Sequence, residues 1–553
     1  MGAIYGGHLV AKYLKEREGI TTVFGLCGGH IDRILDGFLE YRVRFIDVRH
    51  EQAAVMMAHA WSVLRAEPSV CLVTAGPGFT NAISGIVSAY FDNAPVVVLS
   101  GTAPLRDRDK GALQDMNHSE MIKSAVKWTG SCNDPKRIPE YLATAIRHAV
   151  SGRPGPVFLE LPPDTLNVKI DEEEAPYPNP GRATAKTAPN PMSIESAASL
   201  INSSERPVLM GGSGIAFSDC DTELKDFVGK TGMPFVFLNH ARGAIDDSHP
   251  LSLWNGSHMA VVTALSQADL VIALGIRFNL GIMLGQIFPQ AKLIKVDIDP
   301  TEMDRNRMSD IGLVGDIGLA LQELNRLVKP RDLSGWVRSL HDAYGPLIQD
   351  EMAQREQASE PIHPARLVEL VRRVTNDDVI YSVDGGDTSY FAIVGLKVKE
   401  KGFLMAGSLF GCLGAGIPWG IGAKLARPDK NVVVVSGDGS LGFNIMEYDT
   451  AVRHAIPLVC VVVNDQAWGM IKHGQELSYG ANRLVGSELG VVHYEKVVEA
   501  LGGHGELVQK DKDIMPALSR AINSGKPALV NVLTDPTVTS PATLMLGEGL
   551  KME

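Results

Sequence analysis

The sequence lacks most of what marks an extracellular, membrane-embedded or nucleic-acid-binding protein. Cysteine is scarce: six residues, at positions 27, 71, 132, 220, 412 and 460, lie far apart with no Cys-x-x-Cys pair. That spacing suits buried free thiols in a reducing compartment and argues against a disulfide frame or a zinc site. Apolar runs such as Pro457 to Val463 fall well short of the roughly 18 residues that cross a bilayer. The N-terminal stretch MGAIYGGHLVAKYLKEREG has no apolar signal core and reads as an amphipathic helix. It begins Met-Gly, but Gly6 stands where a myristoylation signal needs Ser or Thr. Basic clusters are absent too. Lys and Arg number 52 against 64 Asp and Glu, a net charge of −12, which disfavours nucleic acid or an anionic membrane as partner.

What remains is a soluble, cytoplasmic α/β protein. Hydrophobic residues make up 45% and charged residues 21%, so disorder is excluded as the main state. At about 150 residues per domain, 553 residues suggest three or four domains. Short Val/Ile/Leu runs recur, among them Val70–Thr74, Val96–Ser100, Val208–Met210, Leu270–Leu274, Leu293–Val296, Val432–Ser436 and Leu458–Val463. Alternating with stretches of helical spacing, they predict parallel sheets covered by helices on both faces. The Pro-rich, acidic stretch 168–192 and the polar stretch 329–361 read as linkers. Three domains result, over 1–167, 193–328 and 362–553, with residues 540–553 as a tail or lid. The outer two look related. Each runs from a strand into a Gly-x-Gly turn (Gly76-Pro77-Gly78; Gly437-Asp438-Gly439), then a helix, a proline (Pro95; Pro457) and another strand.

The 56 glycines carry the functional signal through their positions. Gly437, Gly439 and Gly442 form a GxGxxG after a strand, which could cradle phosphate as a dinucleotide-binding unit does. Asp438 speaks against a dinucleotide. A carboxylate inside a diphosphate loop repels its ligand unless a cation intervenes, and Asp465 at the next strand end supplies a second carboxylate. The pair predicts a hard divalent ion, completed by diphosphate oxygens and a backbone carbonyl such as that of Ala467.

GDG followed some two dozen residues later by Asn464-Asp465 resembles the fingerprint of thiamine-diphosphate enzymes. The resemblance implies magnesium held by Asp438, Asp465 and the Ala467 carbonyl, with Gly439 and Ser440 beside the diphosphate. Many relatives have Asn where Asp465 stands; either offers an oxygen. Glu51, in RHEQAA, matches the family's activating glutamate, which hydrogen-bonds the aminopyrimidine. A zinc-type HExxH is excluded because Ala54 replaces the second His. GSLFGCLGAGIPWGIG (407–422) resembles the cofactor-bending segment, with the Gly411 carbonyl on the amino group and Leu413 beneath the cofactor. DGGDTS (384–389) matches a second diphosphate loop through Asp387 and Thr388. Thr74 and Asn81 match residues near the pyrimidine. The family builds each site from two subunits, so a homodimer, doubled to a homotetramer, is implied.

The resemblance covers the whole chain in the order found in the acetohydroxyacid synthase and pyruvate oxidase group. In the central domain MGGSG, LGIRFN and VDIDP are weak nucleotide-type signals, and no bound nucleotide is expected. FGLCGGHID (24–32) and GALQDMN (111–117) look most like benzaldehyde lyase, which joins and splits aromatic 2-hydroxy ketones. His30 and Gln114 match its polar residues and could carry substrate protons. Three positions depart from it: Met470 would shrink the pocket, Ala406 replaces a His and Ser389 a Tyr. 2-Hydroxyacyl-CoA lyases and oxalyl-CoA decarboxylases are the nearest alternative. They carry an Arg after the DGG turn, where this chain has FAIVG (391–395). Acetolactate synthase, which lacks the GGHID-like His, is a further alternative. A dinucleotide oxidoreductase and a non-catalytic scaffold complete the set. The expected activity is that of a thiamine-diphosphate, magnesium-dependent carbon–carbon lyase or carboligase acting on aldehydes and 2-hydroxy ketones.

Overall fold

A computed structural model describes residues 2–182, 185–254, 258–405 and 409–544. They divide into two compact units. One comprises Met1–Ala185, Gly407–Arg427 and Asn444–Ile456; the other comprises Lys186–Ala406, Pro428–Phe443 and Pro457–Glu553.

In the first unit the apolar runs form six parallel strands: β2 (Thr22–Gly25), β3 (Arg44–Asp47), β4 (Ser69–Val73), β5 (Val96–Gly101), β6 (Thr129–Ser131) and β7 (Val157–Leu161). They lie in the order β3-β2-β4-β5-β7-β6. The central strands are apolar and buried along their length because helices cover both faces. A separate strand, β1 (Ala3–Tyr5), pairs antiparallel with β8 (Lys169–Asp171), Ile4 opposite Ile170. The expected linker 168–192 therefore opens as part of a strand pair, because Ile170 buries its side chain in the first unit's core.

The second unit holds two parallel sheets. One comprises β9 (Pro207–Gly211), β10 (Phe235–Phe237), β11 (Leu270–Leu274), β12 (Lys292–Asp297) and β13 (Ile311–Val314), ordered β10-β9-β11-β12-β13. The other comprises β14 (Val379–Asp384), β15 (Phe403–Met405), β16 (Asn431–Gly437), β17 (Val459–Asn464), β18 (His504–Val508) and β19 (Ala528–Leu533), ordered β15-β14-β16-β17-β19-β18. The stretch 329–361, expected as a linker, contains helices over Ser334–Tyr344 and Gln349–Glu356. Trp336, Leu340 and Tyr344 of the first helix join the core of the five-stranded sheet, so apolar burial holds this stretch in the fold. In MGGSG the Gly214 amide donates to the Gly275 carbonyl at 3.0 Å. A Cβ on Gly212 would lie 2.7 Å from that same carbonyl oxygen, so these glycines serve close backbone packing.

Both six-stranded sheets share one strand order: second, first, third, fourth, sixth, fifth. In each, the chain leaves the first strand in one direction and returns on its other side at the third. The loops after those two strands splay apart, and the crevice between them is where open α/β sheets place ligands. The splayed loops are 26–31 and 74–78 in one sheet, and 385–389 and 437–440 in the other. They carry His30 and Thr74, and Thr388 and Asp438, respectively.

In the first unit the helix Gly416–Ala426 packs on the helix Glu51–Arg65 at Gly422, where a Cβ would sit 2.3 Å from the Met57 carbonyl oxygen. Trp419 meets His59 edge-on at 4.8 Å beside it. Backbone cannot yield as a flexible side chain does, so Gly422→Val should cost about 2–3 kcal/mol by overpacking. The thermal midpoint should drop by several degrees; an unchanged midpoint would show that the helices separate freely. None of the described helices is long and apolar enough to cross a membrane.

Candidate active site

In the first unit Glu51 opens its helix with its carboxylate 5% exposed. Asn81, one turn into the helix Pro77–Asp92, donates from Nδ2 to Glu51 Oε2 at 3.0 Å. Gly78 keeps the facing backbone close, since a Cβ there would lie 2.7 Å from Thr74 Cγ2 and 3.5 Å from Glu51 Oε1. Two expected pyrimidine-side residues, Thr74 and Asn81, thus lie around the expected activating acid.

His30 and Gln114 meet the same loops. Thr74 Oγ1 and His30 Nδ1 are 3.4 Å apart, and the imidazole is also engaged by the Leu113 backbone. Burial, reinforced by the charge of His118, holds His30 below the ordinary imidazole range, so the ring is neutral at pH 7. Gln114 has φ +60°, and its Cβ and Cγ fill the space a Gly76 side chain would take, 2.8 Å from that Cβ position. Leu413 is half-buried, and Gly411 has φ +70° with open space where a Cβ would stand. The segment is anchored by Asn444, whose Nδ2 donates to the Gly414 carbonyl at 2.7 Å. Ala406, at the substituted histidine position, lies outside the described residues.

The turn before Glu51 is fixed by a residue that the sequence pattern does not reveal. Glu447, 1% exposed, accepts from the Arg49 and His50 amides at 3.0 and 3.1 Å and from Thr450 Oγ1 at 2.7 Å. Arg453 and His454 meet Asp47 on the same turn at 2.5 and 2.8 Å. Burial pushes Glu447 up to about 7, against the opposing pull of those hydrogen bonds.

In the second unit Asp438 (1% exposed) and Asp465 share one pocket. Burial first, then the charge and hydrogen bond of neighbouring Asp465, push Asp438 well above the usual carboxylate range, and burial raises Asp465 as well. Asp438 Oδ2 is buried without a hydrogen-bond partner. Asn464 holds the adjacent turn: its Nδ2 donates to Asn531 Oδ1 at 2.9 Å and its Oδ1 accepts from the Gln466 amide. The Ala467 amide donates to Asp465 Oδ1 at 3.2 Å. Around them Thr388 Oγ1 would lie 3.2 Å from a Gly437 Cβ, and Ser440 Oγ 3.5 Å from a Gly385 Cβ. Trp468 covers Gly439, and Met470 rests on Gly386, each 2.7 Å from the missing Cβ position. Ser389 turns its hydroxyl back to the Gly385 carbonyl. Two neighbouring buried carboxyls, an orphaned oxygen, two hydroxyls and glycine backbone make a donor set that fits a divalent cation with a diphosphate.

Asp387 behaves otherwise than expected. Its carboxylate is taken by His473 Nδ1 at 2.8 Å and by the hydroxyls of Ser540 and Thr543, each at 2.5 Å. These bonds outweigh burial and hold its pKa below the usual carboxylate value. The side chain therefore anchors the C-terminal segment at Ser540 and Thr543. The hydroxyl of Thr388, by contrast, stands in the glycine cradle. The sequence reading also missed His473, Glu447 and the buried His118–Glu160 pair. Their partners lie 86, about 400 and 42 residues away, beyond any local pattern.

A doubly wound sheet pair with a glutamate-bearing turn in one sheet and a carboxylate-bearing glycine loop in the other defines a cofactor-dependent enzyme class. Comparison with known proteins then identifies the family. The chain matches the thiamine pyrophosphate enzyme N-terminal TPP binding domain over residues 4–121, the central domain over 194–324 and the C-terminal TPP binding domain over 384–532. It is 34% identical over 543 residues to a probable acetolactate synthase of Mycobacterium bovis, covering 97% of each chain. It is 30% identical to 2-hydroxyacyl-CoA lyase of Arabidopsis thaliana, over 97% of this chain and 96% of that one. It is likewise 30% identical to oxalyl-CoA decarboxylase of Escherichia coli, over 96% and 95%. The chain belongs to the thiamine-pyrophosphate enzymes.

The buried acid Glu447 makes stability pH-dependent in a stated direction. Its folded pKa, about 7, lies above the ordinary carboxylate value of 4.5. Its contribution is complete below the ordinary value and is lost as pH rises through the folded one. Glu447→Gln should therefore flatten the fall of the thermal midpoint between about pH 4.5 and 7. A slope identical to wild type would remove Glu447 from this account.

Proposed function

We propose that the protein is a thiamine-diphosphate, magnesium-dependent carbon–carbon lyase and carboligase acting on 2-hydroxy ketones and aldehydes. When bound, the cofactor supplies a carbanion that adds to a carbonyl carbon. Asp438 and Asp465, with the Ala467 carbonyl, hold the magnesium ion. Thr388, Ser440 and the Gly437–Gly439 backbone receive the diphosphate. Glu51, with Oε2 engaged by Asn81, offers its carboxyl to the pyrimidine and holds or releases a proton there. Gly411 and Leu413 support the ring. Met470, on Gly386, narrows the substrate space.

The observation that carries the substrate reading is the grouping of neutral His30 with Thr74, the Leu113 backbone and the Gly76-seated Gln114. A neutral imidazole can give a proton to an aldehyde oxygen or take one from a hydroxyl as a carbon–carbon bond forms or breaks. This is the benzaldehyde-lyase-like reading. The relatives' names favour two rivals, acetolactate synthesis and 2-hydroxyacyl-CoA cleavage. A panel with thiamine diphosphate and magnesium separates them: benzoin or acyloin cleavage, aldehyde ligation, pyruvate condensation and 2-hydroxyacyl-CoA cleavage. Turnover of the CoA thioester or pyruvate alone would overturn the present reading. The expected setting is the cytoplasm, consistent with six free cysteines.

Glu51→Gln should keep its fold yet lose at least about a hundredfold in kcat/KM; full activity would sink the mechanism. We further propose a homodimer, paired into a tetramer, in which each site takes Glu51 from one protomer and Asp438 from the other. Glu51→Gln and Asp438→Ala chains, each inactive, should then regain activity when co-assembled, because one of the two sites in the mixed dimer is intact. Persistent inactivity of a purified mixed dimer would exclude shared sites.

A further inference from the structure

Behind the loop that seats Gln114 lies a buried histidine and carboxylate that the proposed chemistry does not use. His118 is 0% exposed, and its Nε2 accepts the Gly76 amide at 2.9 Å. Its Nδ1 makes no hydrogen bond among the described residues and lies 3.4 Å from Glu160 Oε1. Burial alone would raise Glu160. The neighbouring His118, with Arg108 and Ser131, outweighs it and holds the carboxyl below the ordinary carboxylate range. Phe79 meets the His118 ring edge-on at 4.8 Å and closes the pocket.

The bonded amide is at a decisive place. Gly76 has φ +61° and ψ −115°, a conformation reserved for glycine, and it caps the helix that carries Asn81. Its bare Cα face receives the stem of Gln114, itself at φ +60°. One hydrogen bond thus pins the glycine that Gln114 rests against, and His118 lies only four residues along the chain from Gln114.

We infer that the His118–Glu160 pair is a positioning pair: it sets the register of Gln114 against Gly76, and thereby the substrate-proton side of the site. This rests on the reading of His30 and Gln114 as substrate-facing groups. The pair itself touches no reacting atom.

The test uses the full-length protein in two assays. His118→Phe keeps the aromatic packing on Phe79 but removes the acceptor; His118→Gln restores a carbonyl oxygen that can accept. In hydrogen–deuterium exchange on the protein without cofactor, His118→Phe should speed exchange in peptides covering 75–81 and 110–117. His118→Gln should leave both near wild type. In turnover, His118→Phe should lower kcat/KM about tenfold or more, as misplacement of a positioned group does. Thiamine diphosphate affinity should stay within about threefold, and His118→Gln should recover most of the loss. If His118→Phe does not fold, Glu160→Gln takes its place, with smaller changes of the same sign expected. Wild-type exchange in both peptides would overturn the inference, as would a loss of cofactor affinity equal to the loss of turnover. If the wild-type protein turns over none of the substrates, the proposed function fails, while the exchange result still decides the pair.

Discussion

Two buried carboxylates at neighbouring strand ends, Asp438 and Asp465, are the constraint around which the second unit's site is built. A lone carboxylate in that position is costly, and two together repel. Among the described residues Asp438 Oδ2 is left without a hydrogen-bond partner. The protein supplies a glycine loop, two hydroxyls and the covering Trp468 and Met470. Such an arrangement costs stability in the bare chain, and under the proposed function a cation with its diphosphate would balance the charge. Asp387, close by, shows the contrast. Its negative charge is answered by His473, Ser540 and Thr543, so it is free to tie down the C-terminal segment.

The first unit handles its buried acids differently. Glu51 shares one oxygen with Asn81, while Glu447 accepts two backbone amides of the turn that presents it. Glu447 is pushed up to about 7 because burial outweighs three donors, whereas Glu160 is held below its ordinary value because His118 and Arg108 stand beside it. Burial alone would raise both, and the neighbours decide the direction. Helix starts, glycine turns and strand ends recur at these positions because a parallel sheet delivers its loops to one edge.

Much of this was legible beforehand, for identifiable reasons. The apolar runs that become β4, β5, β16 and β17 are buried on both faces, so their composition is unambiguous. The repeated strand–Gly-x-Gly–helix–Pro pattern reports the two sheets that prove to share a strand order. Asp438 and Asp465 are visible because a short stretch of chain joins them, and Glu51 because its surroundings match a family motif. The domain edges read less well. Polar and proline-rich composition suggested linkers at 168–192 and 329–361, yet Ile170 and Trp336 secure parts of both by burial, which a few apolar residues can accomplish. The motif around Asp387 is local, while the partners that occupy its carboxylate are 86 to 156 residues away.

The sequence alone determined the parallel α/β architecture and singled out the carboxylate-bearing glycine loop and Glu51, since each rests on local pattern or short spacing. Its scarcities, in cysteine pairs, apolar spans and basic clusters, narrowed the class without indicating a site. Only the tertiary structure decided which buried acids lie side by side, that Gln114 packs on the bare face of Gly76, and that His118 and Glu447 bind the backbone amides of Gly76 and of Arg49 and His50. The reason is physical: charge balance and steric room depend on atoms brought together from distant parts of the chain, and no local pattern records them.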